Sequence, residues 1–153
     1  MAVKPIPDGY PRVIPYLTVE GAAAAIDYYV SVFGAKERMR MGAPGDTIGH
    51  AEVEIGDSVI MLADANPQWG NLGPKAVGGS PVTIHLYVED VDATYRAAID
   101  GGATSEMEPQ NQFYGDRSAA FGDPFGHRWH IASHVEDVAP DEMERRAREA
   151  MGG

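Results

Sequence analysis

Histidines occur in two β-rich segments of the second half of the chain, at positions where they could act together. His85 lies in one segment, and His130 shares the other with Arg128 and His134 at alternating positions. Alternate residues of a strand point to the same face, so each segment would present its polar side chains together. An imidazole titrates near neutral pH, which makes His85 and His130 candidate general acid–base residues. Arg128 is a candidate ligand-binding residue on the same face. The alternative is that both histidines are core residues whose nitrogens bond the backbone.

The first half of the chain contains a second set of candidates. His50 and Glu52 alternate with apolar residues in one β-rich segment, and Tyr16 lies in the first such segment. We take His50 and Tyr16 as candidate ligand-binding residues. The alternative is that His50 and Glu52 cover the solvated face of a sheet.

A third set surrounds Gly115. Arg117 follows a glycine and an aspartate, and a tight turn there could direct its guanidinium inward to hold a carboxylate or phosphate. Tyr114, in the same motif, is a further candidate ligand-binding residue. Asp116 could instead form a local ion pair with Arg117 that fixes the loop.

The elements that must position these residues occur twice. Three segments of the first half recur in the second at slowly drifting offsets of 69, 68 and 66 residues: 16–21 with 85–90, 33–35 with 101–103, and 55–57 with 121–123. Such agreement at three separate places indicates an internal repeat rather than coincidence.

Each half has the pattern of a strand, a helix and three strands. Apolar spacing and Gly or Asp punctuation predict, in the first half, a strand at 13–19, a helix at 21–33 and strands at 35–41, 48–55 and 58–63. The second half gives a strand at 82–88, a helix at 91–99 and strands at 104–107, 116–121 and 127–134. The fold class is therefore α+β, with two βαβββ modules at 11–64 and 82–137.

Two segments after the first module lie outside the repeat. Residues 65–81 are rich in Gly and Pro. This composition predicts a connecting loop, which is either a binding loop or a plain linker. Residues 138–153 predict a C-terminal helix, from about Pro140 to Met151, and a tail. The acidic residues lie near the start of this helix and the arginines nearer its end, which is the arrangement that the helix dipole favours.

Composition excludes several classes of function. The chain has 153 residues, with 12 Lys and Arg against 23 Asp and Glu, for a formal charge of −11. Nucleic acids and anionic membrane surfaces need clustered basic residues, so neither is expected as a partner. The absence of cysteine removes disulfides, thiolate catalysis and iron–sulfur clusters. No apolar run approaches the roughly 20 residues of a membrane span, and the first 15 residues lack a signal-peptide core. We expect a cytoplasmic protein.

The tandem repeat resembles the vicinal oxygen chelate superfamily, which includes glyoxalase I, bleomycin-resistance proteins and extradiol dioxygenases, and within it the PhnB-like branch. The match lies in residues 15–19, 26–29, 33–35, 50–52 and 58–62, and in 85–92, 113–118 and 123–129. The resemblance implies tandem βαβββ repeats that form a curled mixed sheet around a cavity. It also implies a homodimer.

Metal-dependent members of that superfamily place one ligand on the first and one on the last strand of each module. Transferred here, these positions fall at Ile14, Met61, Thr83 and His130, of which His130 alone suits a divalent ion. A two-residue shift keeps the face and would bring in His85. We therefore expect no metal and no other cofactor.

Three hypotheses for function remain. The first is a binding protein of the bleomycin-resistance kind, which holds a small cationic or aromatic molecule in a dimer cavity without turnover. The net charge attracts cations and so favours it. The second is a glyoxalase-like lyase or isomerase, metal-dependent or metal-free, acting on a small oxygenated substrate. The third is a domain that acts through its dimer and has no ligand of its own.

Overall fold

The structure is a computed structural model that describes residues 2–152. The chain divides into two compact units, unit 1 up to Gly79 and unit 2 from Ser80. Each unit contains one four-stranded sheet with a helix between its first and second strands, in the order predicted from the sequence, so the α+β prediction with tandem βαβββ modules is confirmed.

Unit 1 contains β1 (Tyr16–Val19), α1 (Ala22–Phe33), β2 (Lys36–Ala43), β3 (Thr47–Ile55) and β4 (Ser58–Asp64). The strand order is β1-β4-β3-β2, with β1 parallel to β4 and the other neighbours antiparallel. The helix α1 ends at Gly34, whose φ of 68° is a left-handed conformation that glycine adopts at little cost. The sheet is open, with β1 and β2 at its edges.

Unit 2 repeats this arrangement with β5 (Thr83–Tyr87), α3 (Val91–Asp100), β6 (Thr104–Asn111), β7 (Asp116–Gly122) and β8 (Arg128–His134). Its order is β5-β8-β7-β6, with β5 parallel to β8. Asp90 begins α3, because its carboxylate accepts the Ala93 N–H at 3.1 Å. The helix α4 (Pro140–Ala150) closes the chain and holds none of its side chains in the core.

The core of each unit lies on the sheet face that carries its own helix. In unit 1, Leu17, Val53 and Leu62 alternate into this face and are at most 4% exposed. In unit 2, Trp129 and Ile131 do the same. Burying each such side chain contributes about 1.5–3 kcal/mol to stability, so these positions fix which face points inward.

The opposite face of each sheet, called here the site face, carries the polar candidates. In unit 1 its central residues are Tyr16, Thr18, His50, Glu52 and Met61. In unit 2 they are His85, Tyr87, Asp116, Arg128, His130 and His134. The strand registers place these residues side by side, since directly paired residues share a face.

Two segments differ from the sequence expectation. The connecting loop contains a 3-10 turn at Pro67–Trp69 and a short helix α2 at Pro74–Val77, because a leading proline presets the helical φ and a left-handed glycine ends each turn. Strand β6 runs to Asn111 rather than to residue 107. It continues past Pro109 because it is an edge strand and its register shifts there.

Among residues 2–152, no helix is long and apolar enough to span a bilayer.

Candidate functional site

The two candidate acid–base histidines lie side by side on the site face of unit 2. The β5–β8 register pairs His85 with His130, and their Nδ1 atoms are 2.9 Å apart. One Nδ1 must therefore donate a proton and the other accept it. Burial, and then the neighbouring His85, lowers the pKa of His130. His130 is thus a neutral imidazole at neutral pH, able to accept a proton through a ring nitrogen.

A second polar set lies beside the histidine pair. Asp116, 4% exposed, accepts the Tyr87 hydroxyl at 2.8 Å and pairs with His134 Nδ1 at 2.8 Å. His134 Nε2 lies 2.7 Å from Asp137. Burial opposes the charge of Asp116, but the hydrogen bonds from His134 and Tyr87 outweigh it and lower the pKa of the carboxyl. The bonds to Asp116 and then Asp137 raise the pKa of His134.

Arg117 points to the other face of the same sheet. Asp116 and Ser118 are on the site face, so the residue between them is directed toward α3. There its guanidinium makes two hydrogen bonds to Asp92, at 2.8 and 2.9 Å, and a longer one to Asn111. The structure therefore separates Arg117 from the histidines, and its ion pair is with Asp92 rather than with Asp116.

The two other unit 2 candidates have different settings. Arg128 is on the site face, two residues from His130, and its guanidinium pairs with Glu106 at 3.1 Å. Tyr114 is half-buried in the turn between β6 and β7, with its ring edge-on to that of Phe113. Arg128 thus lies beside the histidine pair in an ion pair with Glu106, whereas Tyr114 belongs to the turn.

The unit 1 candidates form a continuous hydrogen-bonded chain. The Tyr16 hydroxyl lies 2.8 Å from His50 Nδ1, and His50 Nε2 lies 2.9 Å from Glu52 Oε2. The bond from His50, with help from Tyr10, lowers the pKa of Glu52 against the effect of its burial. A charged carboxylate requires a proton on Nε2, so Nδ1 of a neutral His50 accepts the Tyr16 O–H. Burial raises the pKa of Tyr16, which keeps the phenol protonated.

Glu52 is buried, whereas one interpretation of the sequence places it on the solvated face of a sheet. Its side chain is 4% exposed, because Tyr10 covers it and donates its hydroxyl to Oε1 at 2.8 Å. The Arg38 guanidinium lies 4.5 Å above the Tyr10 ring and also donates to the Gly9 carbonyl at 3.0 Å. The segment before β1 is thereby held on the site face. No local pattern marks Tyr10 in the sequence, since its partner is 42 residues away.

Two cavities open on unit 1. One, of about 630 Å³, lies beside Tyr16 and Thr18, between the β2–β3 turn and the turn at Asn66–Asn71. The other is a groove of about 610 Å³ under the N-terminal segment, and its lining includes Tyr10, Glu52 and Met61. Volumes of this size suit a small organic ligand.

Comparison with known proteins establishes the family. A sequence profile of the Glyoxalase/Bleomycin resistance protein/Dioxygenase superfamily matches residues 12–131. The chain belongs to this superfamily. Its match to an uncharacterized protein of Mycobacterium bovis is 41% identical over 137 residues and covers 88% of this chain and 90% of the relative. An uncharacterized protein of Mycobacterium tuberculosis matches with the same identity, covering 88% of this chain and 81% of the relative.

Solved structures of the superfamily type share the fold. TioX from a Micromonospora species superposes with a TM-score of 0.62 at 24% identity, covering 82% of this chain and 99% of TioX. The PhnB protein from Bacillus cereus gives 0.65 at 15% identity, covering 80% and 99%. The fosfomycin resistance protein FosX from Mesorhizobium loti gives 0.58 at 17% identity, covering 82% and 92%. These identities show a common fold and nothing finer.

The residues present do not fit the metal that some superfamily members hold. Tyr16, not Ile14, lies opposite Met61, and His85, not Thr83, lies opposite His130. At these paired positions the first unit offers a thioether and a protonated phenol, and the second offers two imidazoles. The nearby His50 and Glu52 of the first unit are already bonded to each other. Across residues 2–152 no three His, Asp or Glu side chains are grouped as a metal site. A stable divalent site normally needs three or more such ligands.

Proposed function

We propose that the protein binds a small cationic or aromatic molecule on its site faces, in a cavity completed by a homodimer, without metal and without chemical turnover. The observation that carries this proposal is the cavity of about 630 Å³ beside Tyr16, whose hydroxyl is already oriented by His50 and the buried Glu52. A polar group fixed at the wall of a cavity is what orients a ligand.

The exposed apolar and aromatic side chains support the homodimer. Tyr16, Met41 and Tyr87 are 51–59% exposed on the site faces. Apolar side chains left in water on a sheet face are available to pack against a second copy of the chain. Sedimentation at micromolar concentration should therefore show a particle of twice 16.4 kDa. A 16.4 kDa particle would contradict the dimer.

Ligand-dependent thermal stabilisation tests the binding proposal. A molecule that binds the native state alone stabilises it by RT ln(1 + L/Kd) at a free ligand concentration L, and so raises the melting temperature as its concentration increases. We expect hits from a library of cationic and aromatic compounds, and expect Tyr16→Phe to weaken them while Tyr95→Phe, on α3 of unit 2, does not. A library without any stabilising compound would contradict the proposal.

The histidine pair favours a second function, a metal-free lyase or isomerase of the glyoxalase type. His130 is kept neutral by burial and by His85, which suits a general base, and Arg128 on the same face could hold an oxygen of the substrate. Turnover of a stabilising compound, lost in His130→Gln and retained in His127→Gln, would favour this function over binding alone.

A further inference from the structure

The segment that follows β4 presents a tryptophan to solvent on a fixed turn. Asn66 and Asn71 exchange backbone hydrogen bonds of 2.8 and 3.1 Å, and the 3-10 turn between them is closed by the Trp69 and Gly70 amides. Trp69 is 80% exposed. Further on, Gly73 passes close to the Thr18 carbonyl, which a Cβ at this position would meet at 3.4 Å. A large ring held in water by an ordered turn leaves apolar area that a second molecule would gain free energy by covering.

Trp69 forms one wall of the 630 Å³ cavity, and neutral polar groups form the rest of its polar lining. Three amides come from the same turn, those of Asn66, Gln68 and Asn71, and hydroxyls come from Tyr16, Thr18 and Thr47. Amides and hydroxyls both donate and accept hydrogen bonds without carrying charge.

The charge of the cavity disfavours ionic ligands. Among the described residues that line it, Asp64 alone is charged. Its carboxylate already accepts the Gly21 and Ala22 amides at 2.9 Å and the Ile48 amide at 2.7 Å. An anion would meet this carboxylate without a compensating cation, and a cation would compete with three backbone donors for it.

We propose that this cavity takes a planar, uncharged aromatic ligand that stacks on Trp69 and bears a carbonyl or amide edge, with the turn amides donating to its carbonyl and the Tyr16 oxygen accepting an amide N–H. The inference rests on the proposed binding function and narrows its cationic or aromatic ligand to an uncharged aromatic one. It also assigns a binding role to residues 66–71 of the connecting segment.

Two-dimensional ¹H–¹⁵N NMR of the full chain tests this ligand class with three matched probes. Naphthalene-2-carboxamide, naphthalene-2-carboxylate and 2-naphthylmethylammonium share one ring system and differ in charge. We expect the carboxamide to shift the Trp69 indole N–H and the side-chain amides of the turn, with an affinity at least about tenfold above either ionic probe. Tighter binding of an ionic probe at these resonances would overturn the ligand class.

Variants separate stacking from general effects on the fold. Trp69→Ala should weaken carboxamide binding about tenfold, and Trp69→Phe should retain most of it. Val77→Ala serves as the control, because Val77 is exposed in the same connecting segment but outside the cavity lining. The indole of Trp129, which is buried and bonded to Asp123, should not shift. Unchanged affinity in Trp69→Ala would overturn the site.

The same measurements distinguish failure of this inference from failure of the proposed function. A library compound that stabilises the protein but binds Trp69→Ala as tightly as the natural chain overturns the cavity assignment and leaves small-molecule binding intact. Absence of any stabilising compound overturns both. Loss of the dimer in Trp69→Ala, with ligand affinity unchanged, would instead make Trp69 an interface residue and overturn the inference.

Discussion

The two units share one backbone plan and differ in what they place on it. Tyr16 and Met61 of unit 1 correspond in register to His85 and His130 of unit 2. The side chains on the helix-facing side are apolar in both units, whereas the site-face side chains have changed in kind. Core packing therefore preserves the fold, and the uncovered face is free to acquire a different chemistry in each copy.

The buried charges also occupy different places. In unit 1 the central strand β3 carries Glu52, which is held between His50 and Tyr10. In unit 2 the corresponding position is Ala120, and the buried carboxylate on the site face is Asp116 at the start of β7. In unit 1 the buried carboxylate thus bonds directly to the ligand candidate His50. In unit 2 it bonds to His134 and Tyr87, beside the histidine pair.

The hairpin before the last strand should show the largest energetic difference between the units. Asp123, 6% exposed, accepts the Phe125 and His127 amides and the Trp129 indole, all at 2.9 Å. Its repeat counterpart Asp57 is exposed. Asp123→Ala should lower the free energy of unfolding by about 3 kcal/mol, because buried donors lose their charged acceptor. Urea denaturation measures this change.

Asp57→Ala is the matched control for that experiment. Replacing this exposed residue should alter the free energy of unfolding by less than about 0.5 kcal/mol. Equal losses from the two alanine variants would show that the hairpins are equivalent and would remove this contrast between the units.

The carboxylate under the unit 1 site face should give the next largest effect. Glu52→Gln leaves a neutral group in place of the acceptor for Tyr10 and His50, and should cost about 1–2 kcal/mol of unfolding free energy. It should also loosen the segment before β1 and so speed proteolysis there. Denaturation and limited proteolysis measure the two effects.

Glu54→Gln, on the same strand and face, is the control for Glu52→Gln. Glu54 is 45% exposed and its contact with Arg38 is 3.8 Å, so its replacement should be nearly neutral. If both variants lose the same free energy of unfolding, the series of hydrogen bonds that runs from Tyr10 through Glu52 and His50 to Tyr16 has no special role in stability.

Much of the placement of side chains on the two sheet faces could be predicted from the alternation of apolar and polar residues. Alternation within strands correctly grouped His50 with Glu52 and Arg128 with His130, since the core face leaves no choice of side. Pairing between strands was less certain, because a two-residue slide keeps every side chain on its face. The sequence therefore left Thr83 and His85 as alternatives opposite His130, and the structure places His85 there.

Contacts that no local pattern encodes could not be predicted. Tyr10 precedes the first predicted module, yet it covers Glu52. Arg117 follows a turn that was expected to direct it inward, but strand alternation continues through Asp116 and turns the guanidinium toward Asp92 on α3. A turn sets the direction of the chain, whereas the face of each following side chain depends on the strand register.

A smaller effect is expected from pH. The contributions of two histidines of unit 2 to stability should change with pH in opposite directions. Folding raises the pKa of His134, so its stabilisation is complete below the unfolded value of about 6.5 and is lost as pH rises through the folded pKa. Folding lowers the pKa of His130, so stability is lost there as pH falls below about 6.5. His134→Gln should therefore lower the free energy of unfolding more at pH 5.5 than at pH 8. His130→Gln should lower it less at pH 5.5 than at pH 8. Denaturation curves at both pH values check the signs, and the same sign in both variants would contradict this assignment.

The smallest expected effect is that of removing metal, and it follows from the same contrast between the units. At the paired positions of the first and last strands, unit 2 offers the imidazoles of His85 and His130, whereas unit 1 offers Met61 and a Tyr16 phenol whose pKa is raised. Two imidazoles hold a divalent ion weakly against water. Protein purified without an affinity tag should carry well under one zinc, nickel, manganese or iron per chain, and chelators should leave its melting temperature unchanged. Near-stoichiometric metal that is lost in His130→Ala would show that unit 2 completes a site despite unit 1, and would place the enzyme function ahead of binding.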